Sequence, residues 1–151
     1  MPDITAISNY IKETSYAEVI TNGLDGYPNT RLFGSFVNEG LEIYISSQPA
    51  TQKTKEIETD NRVTVFLRHD GQKLETYYTA TIFGKAVKLA KGDADLAKAF
   101  SLLGAKNPGF AERLAKNGQD GVAIYKIKPV KVKIQDFSKG RGAASIEEFT
   151  V

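Results

Sequence analysis

The sequence predicts a mainly β domain: an antiparallel barrel or sandwich of six or seven strands with helices at its periphery. Three observations lead there. Short runs rich in β-branched and aromatic residues recur along the chain, separated by Gly, Pro, Asn and Asp. Helical spacing of apolar residues is confined to the regions 2–14 and 93–116, with one short polar helix between them. A length of 151 residues with 41% hydrophobic and 25% charged residues fits one compact domain, 1–151, with no repeat or linker.

Each element follows in order. Ile4, Ile7 and Ile11 make the stripe of a first helix within Pro2 to Thr14. Tyr16 to Thr21 reads as a strand, and the turn residues Gly23, Asp25, Gly26 and Pro28 lead into a second strand, Thr30 to Val37. Asn38-Glu39-Gly40 turns the chain into Leu41 to Ser46, where Leu41, Ile43 and Ile45 alternate with Glu42 and Tyr44. Pro49 ends that strand, and Thr51 to Thr59, with Ile57 as its one large apolar anchor, reads as a short, mostly exposed helix. Asn61 to Arg68 is a strand, and Glu75 to Leu89 is a long one with Gly84 marking a bulge or bend. Leu96, Phe100 and Leu103 form a helical face, and Asn107-Pro108 opens another helix carrying Phe110 and Leu114. Val122 to Ile127 and, after Pro129, Val130 to Ile134 read as two closing strands. The small, polar tail from Ser138 to Val151 is expected to be mobile or to drape over a neighbour.

Composition removes whole classes of function. No cysteine means no disulfide framework, thiolate nucleophile or cysteine-held metal. A single histidine, His69, removes multi-histidine metal sites, so no metal is expected. Twenty Lys and Arg against eighteen Asp and Glu leave +2, too little to draw the chain onto nucleic acid or an anionic membrane. No apolar run reaches the roughly 20 residues of a membrane span, and Met1-Pro2-Asp3 does not open like a signal peptide. The expected address is the cytoplasm.

The informative stretch is Leu41 to Val65, together with Arg31 on the strand before it. A strand ending in the hydroxyls of Ser46 and Ser47 runs into a loop and helix start offering Thr51, Gln52, Lys53 and Lys55. Hydroxyl, amide and ammonium donors beside free backbone N–H groups suit a phosphate. Arg31 reaches the same place if its strand pairs beside Leu41 to Ser46. The alternative is a solvated helix with ordinary surface lysines and Arg31 in a salt bridge.

The order GYPNTR, LFGSFV, LEIYISSQPATQKTKEIETDNRVTVFL and ATIFGKAVKL resembles the FMN-binding split-barrel family related to pyridoxamine 5′-phosphate oxidase, over about Tyr16 to Leu89. Lys53, Ile57 and Asn61 match the lysine, isoleucine and asparagine that precede an outgoing strand in that family. The resemblance implies a split β-barrel and a homodimer with FMN lying between subunits. By position it assigns Arg31 to the phosphate end and the backbone of Leu32 and Phe33 to the isoalloxazine ring. Ser46 and Ser47 would hold the ribityl chain or phosphate, and Thr51, Gln52 and Lys53 would close around the phosphate. Thr79 would contact the flavin from the partner subunit. A flavin needs a flat apolar slot and directed hydrogen bonds more than an acid or base, so a chain without cysteine and almost without histidine suits it.

Two departures set the chain apart from the oxidase itself. Phe36 stands where the oxidase carries a lysine for its substrate's phosphate, and the closing segment Gln135-Asp136-Phe137 lacks the oxidase's arginine and tryptophan pattern. The chain resembles the short, general stress protein-like branch more closely. The expected activity is transfer of electrons from a reduced nicotinamide to a small-molecule acceptor. The competing expectation is a non-catalytic protein binding flavin, deazaflavin or haem on the same fold; His69 itself reads as an ordinary surface histidine, with axial ligation of haem as the alternative. Lys126, Lys128, Lys131 and Lys133 read as a solvent face or guarded edge, Tyr77 and Tyr78 as residues packing in a dimer interface, and Arg141 as a solvated tail arginine.

Overall fold

Eight strands form one antiparallel sheet in the computed structural model, which describes residues 2–151. They are β1 (Ala17–Asn22), β2 (Pro28–Phe33), β3 (Phe36–Glu39), β4 (Glu42–Ser47), β5 (Arg62–Arg68), β6 (Tyr78–Lys88), β7 (Ala123–Asp136) and β8 (Ile146–Thr150). Seven lie in the order β2-β1-β5-β6-β7-β4-β3, and β8 pairs with the outer half of β7. The sheet curls into the expected split β-barrel, with one strand more than the sequence announces.

The extended run Thr30 to Val37 is two strands, because Gly34 and Ser35 interrupt it. Strand β2 pairs with β1, whereas β3 pairs with β4. Contrary to the pairing on which its reach was expected to depend, Arg31 does not lie on a strand beside Leu41 to Ser46. The two halves occupy opposite edges of the sheet, yet only two residues join them, so the sheet must bend until its edges meet. At the seam the Ser46 N–H donates to the Ser35 carbonyl at 3.3 Å, and the Ser35 and Ser46 hydroxyls are hydrogen-bonded to each other.

Pro129 does not divide the closing segment either. Strand β7 runs unbroken for 14 residues, because Gly84 of β6 faces Pro129 while Phe83 faces Lys131, leaving Val130 as the additional residue of a bulge. A proline can sit there without costing a ladder hydrogen bond. A Cβ on Gly84 would stand 2.5 Å from the Lys128 carbonyl oxygen, which explains the glycine. The tail is also ordered: two 3₁₀ turns lead into β8, which adds to β7 along Lys131 to Gln135.

Helix α1 (Ile4–Lys12) starts at Asp3, whose carboxylate accepts the Ala6 N–H at 3.0 Å, and packs Ile7 and Ile11 into the barrel. There they meet Ile43, Ile45, Val65 and Ile82. Helices α3 (Ala94–Lys106) and α4 (Pro108–Asn117), divided at Asn107-Pro108 as predicted, cover the other face of β3, β4 and β7. Their Leu103 and Phe110 pack with Val37, Tyr44 and Ile124. Strand β4 is thus covered on both sides, and Tyr44, a solvent-face residue by alternation, is wholly buried.

Two surface expectations change. Helix α2 (Gln52–Thr59) buries Thr54, Glu56 and Ile57 against the sheet. Lys126 is not on a solvent face but bridges Asp95 at 3.0 Å and Glu42 at 3.4 Å, tying α3 to β4 and β7. Among the described residues no helix is long and apolar enough to cross a membrane.

Candidate functional site

The barrel seam opens into a cleft of about 490 Å³, within the usual range for small-molecule sites of roughly 300–1,000 Å³. Four parts of the chain meet there. Strand β2 supplies Arg31, Leu32 and Phe33; the end of β4 supplies Ser46 and Ser47; α2 supplies Lys53; and α4 supplies Phe110, Arg113, Leu114 and Asn117. Six of the nine residues singled out from the sequence therefore line one cavity, although Arg31 arrives by barrel closure rather than by direct strand pairing.

The other three lie elsewhere. Thr51 precedes α2, with its hydroxyl 3.4 Å from the Gln48 carbonyl. Gln52 turns inward and donates to Glu56 at 3.3 Å. Thr79 is buried on β6, opposite Arg68 on one side and Gln135 on the other.

Lys53, Arg31 and Arg113 are the cations that line the cleft. Burial, helped by the Arg31 guanidinium, holds the Lys53 ammonium below the usual lysine range, and Lys53 Nζ lies 5.5 Å from the centroid of the Phe33 ring. Neither Lys53 nor Arg113 has a carboxylate within salt-bridge reach among the described residues. Arg31 does: its Nη1 sits 3.0 Å from Glu56 Oε1 and donates to the Thr21 hydroxyl at 2.9 Å. The salt bridge considered for Arg31 thus exists, with a buried partner, while its side chain still borders the cleft. Burial alone would raise the Glu56 carboxyl, but donors from Thr21, Gln52, Arg31 and Asn29 outweigh it and hold the group below the usual carboxylate range.

The lining combines two chemistries. Lys53, Arg31, Ser46 and Ser47 bring polar groups suited to a phosphate, and Phe33, Phe110, Leu114 and Val122 bring apolar surface suited to a flat ring. A larger hollow of about 580 Å³ lies beside it, lined by Tyr16, Glu18, Leu32, Arg68 and His69. Its arginine is already matched by Glu18 at 3.8 Å and Asp70 at 3.5 Å, so the cleft with the unmatched cations is the better anion site.

Sequence reasoning did not find Glu56, Asn29 or Arg113. Glu56 looks like any helix-surface glutamate, and Arg113 carries one readable signal, its place three residues after Phe110 and four before Asn117 on one helical face. His69 is structural: its ring stacks on Tyr10 with centroids 3.8 Å apart, and Nε2 lies 2.9 Å from the Tyr10 carbonyl. Tyr78 packs on Tyr10 within the chain, and Arg141 lies over the Phe137 ring at 5.0 Å. No group of three or more metal-ligating side chains occurs among the described residues.

Comparison with known proteins places these observations in a family. The family model described as pyridoxamine 5′-phosphate oxidase matches residues 5–136. No protein of curated function matches the sequence. Among solved structures, the chain is similar to a Clostridium acetobutylicum protein related to general stress protein 26 of B. subtilis (13% identity, 98% of this chain and 94% of that one, TM-score 0.73). It is similar to a conserved hypothetical protein of Mycobacterium tuberculosis (18%, 91% and 87%, 0.77). It is also similar to the haem storage protein HutZ of Vibrio cholerae (13%, 97% and 92%, 0.69). At these identities the likeness is one of fold.

Proposed function

The chain belongs to the pyridoxamine 5′-phosphate oxidase family, and from that premise we propose that it is an FMN-binding oxidoreductase that accepts electrons from a reduced nicotinamide and passes them to a small molecule. The observation that carries this reading is that Lys53, Arg31, Ser46 and Ser47 line the same cleft as Phe33, Phe110 and Leu114. A phosphate tail and a flat ring need those two environments at once.

The residues present fit the group. Lys53 and Arg31 would hold the phosphate, Ser46 and Ser47 would donate to phosphate or ribityl oxygens, and Leu32 and Phe33 would border the ring. When bound, FMN supplies the redox chemistry of its ring. The chain's part is to bind, orient and shield. Phe33, Phe110, Leu114 and Val122 exclude water from one side, which strengthens every polar contact at the phosphate end. Leu32, 66% exposed between the two hollows, leaves an apolar residue for a second subunit to cover, and this supports a homodimer with the cofactor at its interface. Thr79 would then act from the partner, as the resemblance implies.

The visible spectrum of freshly purified protein tests the reading. A flavin spectrum, release of FMN on denaturation and sustained oxidation of NADH or NADPH with quinone or nitro acceptors are expected. Protein that stays colourless and takes up no added FMN overturns it. A second reading, flavin binding without turnover, is favoured by one feature: no histidine, aspartate or glutamate lines the cleft. Bound flavin with no turnover above that of free FMN would select it. Haem binding would instead give a Soret band on haem addition that is lost in His69→Ala.

A further inference from the structure

We propose that Glu56, which does not line the cleft, is a positioning residue that orients Arg31 toward a bound phosphate. This rests on the FMN reading above and extends it to a residue outside the cleft.

Glu56 is wholly buried beneath α2, where an unpaired carboxylate would be costly. Three of its four side-chain partners belong to the strands beneath the site, and the fourth to its own helix. Oε1 accepts the Thr21 hydroxyl at 2.8 Å and faces Arg31 Nη1 at 3.0 Å; Oε2 accepts Asn29 Nδ2 at 2.6 Å and Gln52 Nε2 at 3.3 Å. Thr21 is on β1, Asn29 and Arg31 are on β2, and Gln52 and Glu56 are on α2, the helix that carries Lys53. One carboxylate thus fixes the strand bearing one cleft cation to the helix bearing the other.

Geometry gives the arrangement its direction. Only Nη1 of Arg31 is engaged among the described residues, by Glu56 and Thr21 on the inner side, so the rest of the guanidinium edge remains for the cleft. A planar fork pinned at one corner loses little freedom when an anion takes the remaining donors. The buried negative charge also lets Arg31 and Lys53 stand near one another, where two bare cations would repel.

The test compares affinities for FMN and riboflavin, which differ by the phosphate, using quenching of flavin fluorescence, with thermal unfolding as the check of folding. Glu56→Gln keeps the shape but removes the charge. Thr21→Val removes the hydroxyl shared by Glu56 and Arg31 without altering side-chain volume much, and so serves if Glu56→Gln fails to fold. Both variants are expected to lose FMN affinity, about tenfold for Glu56→Gln and less for Thr21→Val, while riboflavin affinity changes by less than about twofold. Equal losses for both ligands would reduce Glu56 to a structural role, and a gain in FMN affinity would show that it sequesters Arg31; either result overturns the inference and leaves the FMN reading standing. Wild-type protein that binds FMN no more tightly than riboflavin would overturn the phosphate site itself, and this inference with it.

Discussion

Lys106 Nζ lies 3.6 Å from the centroid of the Phe36 ring and reaches no hydrogen-bond acceptor. Burial lowers its pKa to about 8, and the face of the aromatic ring is the one favourable contact its charge makes.

This relationship predicts a specific pH dependence. The unfolded lysine titrates near 10.4, so between about pH 8 and pH 10.4 the unfolded chain holds more protons than the folded one. Stability from this group therefore rises with pH across that window, and the burden is complete below pH 8. Lys106→Met should stabilise the protein at pH 7 by about 1–2 kcal/mol, with the difference from wild type vanishing by about pH 10.5. Paired urea unfolding curves across pH check it, and a gap that does not narrow as pH rises would refute it.

Gly84→Ala should destabilise through close contacts with one neighbouring strand. Its new methyl group would meet the Lys128 carbonyl oxygen at 2.5 Å and Ile127 Cγ2 at 2.9 Å, both on β7. Overpacking of this kind costs about 1–3 kcal/mol, which thermal unfolding will show as a lower midpoint.

Ala50 adopts a left-handed backbone conformation, with φ at 59°, in the exposed turn leading to α2. Glycine adopts that conformation without the Cβ clash, so Ala50→Gly should raise stability by up to about 1 kcal/mol despite the added freedom of the unfolded chain. Equilibrium unfolding in urea measures the shift.

Lys53→Ala should separate the charge at the cleft from its shape. A charge-assisted contact contributes about 1.5–3 kcal/mol, so FMN affinity should fall at least tenfold with riboflavin affinity nearly unchanged. Fluorescence titration of both flavins distinguishes this from a misplaced site, for which both affinities would stay as in wild type.

His69→Ala removes the stack on Tyr10 and the contact of Nε2 with the Tyr10 carbonyl, yet it leaves the cleft untouched. A loss of about 1 kcal/mol in stability with flavin affinity preserved is expected from calorimetry and titration. Loss of flavin affinity without loss of stability would move the site toward the second hollow.

Local chemistry made much of this protein readable. Alternation named the strand around Ile43, and strand-favouring runs bounded by turn residues named those around Val19, Val65 and Ile82; the period of Leu96, Phe100 and Leu103 named α3; Gly84 announced its bulge, and Asn107-Pro108 divided the helices. Each is set by residues within a few positions of one another. The run SSQPATQK likewise marked a phosphate-suited strand end and helix start, because hydroxyls and a lysine clustered in sequence stay clustered in space.

Other features depended on pairings between distant segments. Whether Thr30 to Val37 stays one strand, whether Pro129 breaks β7 and whether the tail adds a strand are settled by what lies alongside: the meeting edges, the bulge opposite Gly84, and the free side of β7. Glu56 is the clearest case at the site. Its sequence neighbours describe a polar surface helix, and only packing of α2 against β1 and β2 makes it a buried anion supplied by Thr21, Asn29, Arg31 and Gln52. By itself the sequence determined the strand and helix periods and the donor cluster around Lys53. The tertiary structure alone decided which cations share a cleft and which buried charge holds them, since hydrogen bonds and ion pairs act over a few ångströms and the chain segments that supply them here lie up to 35 residues apart.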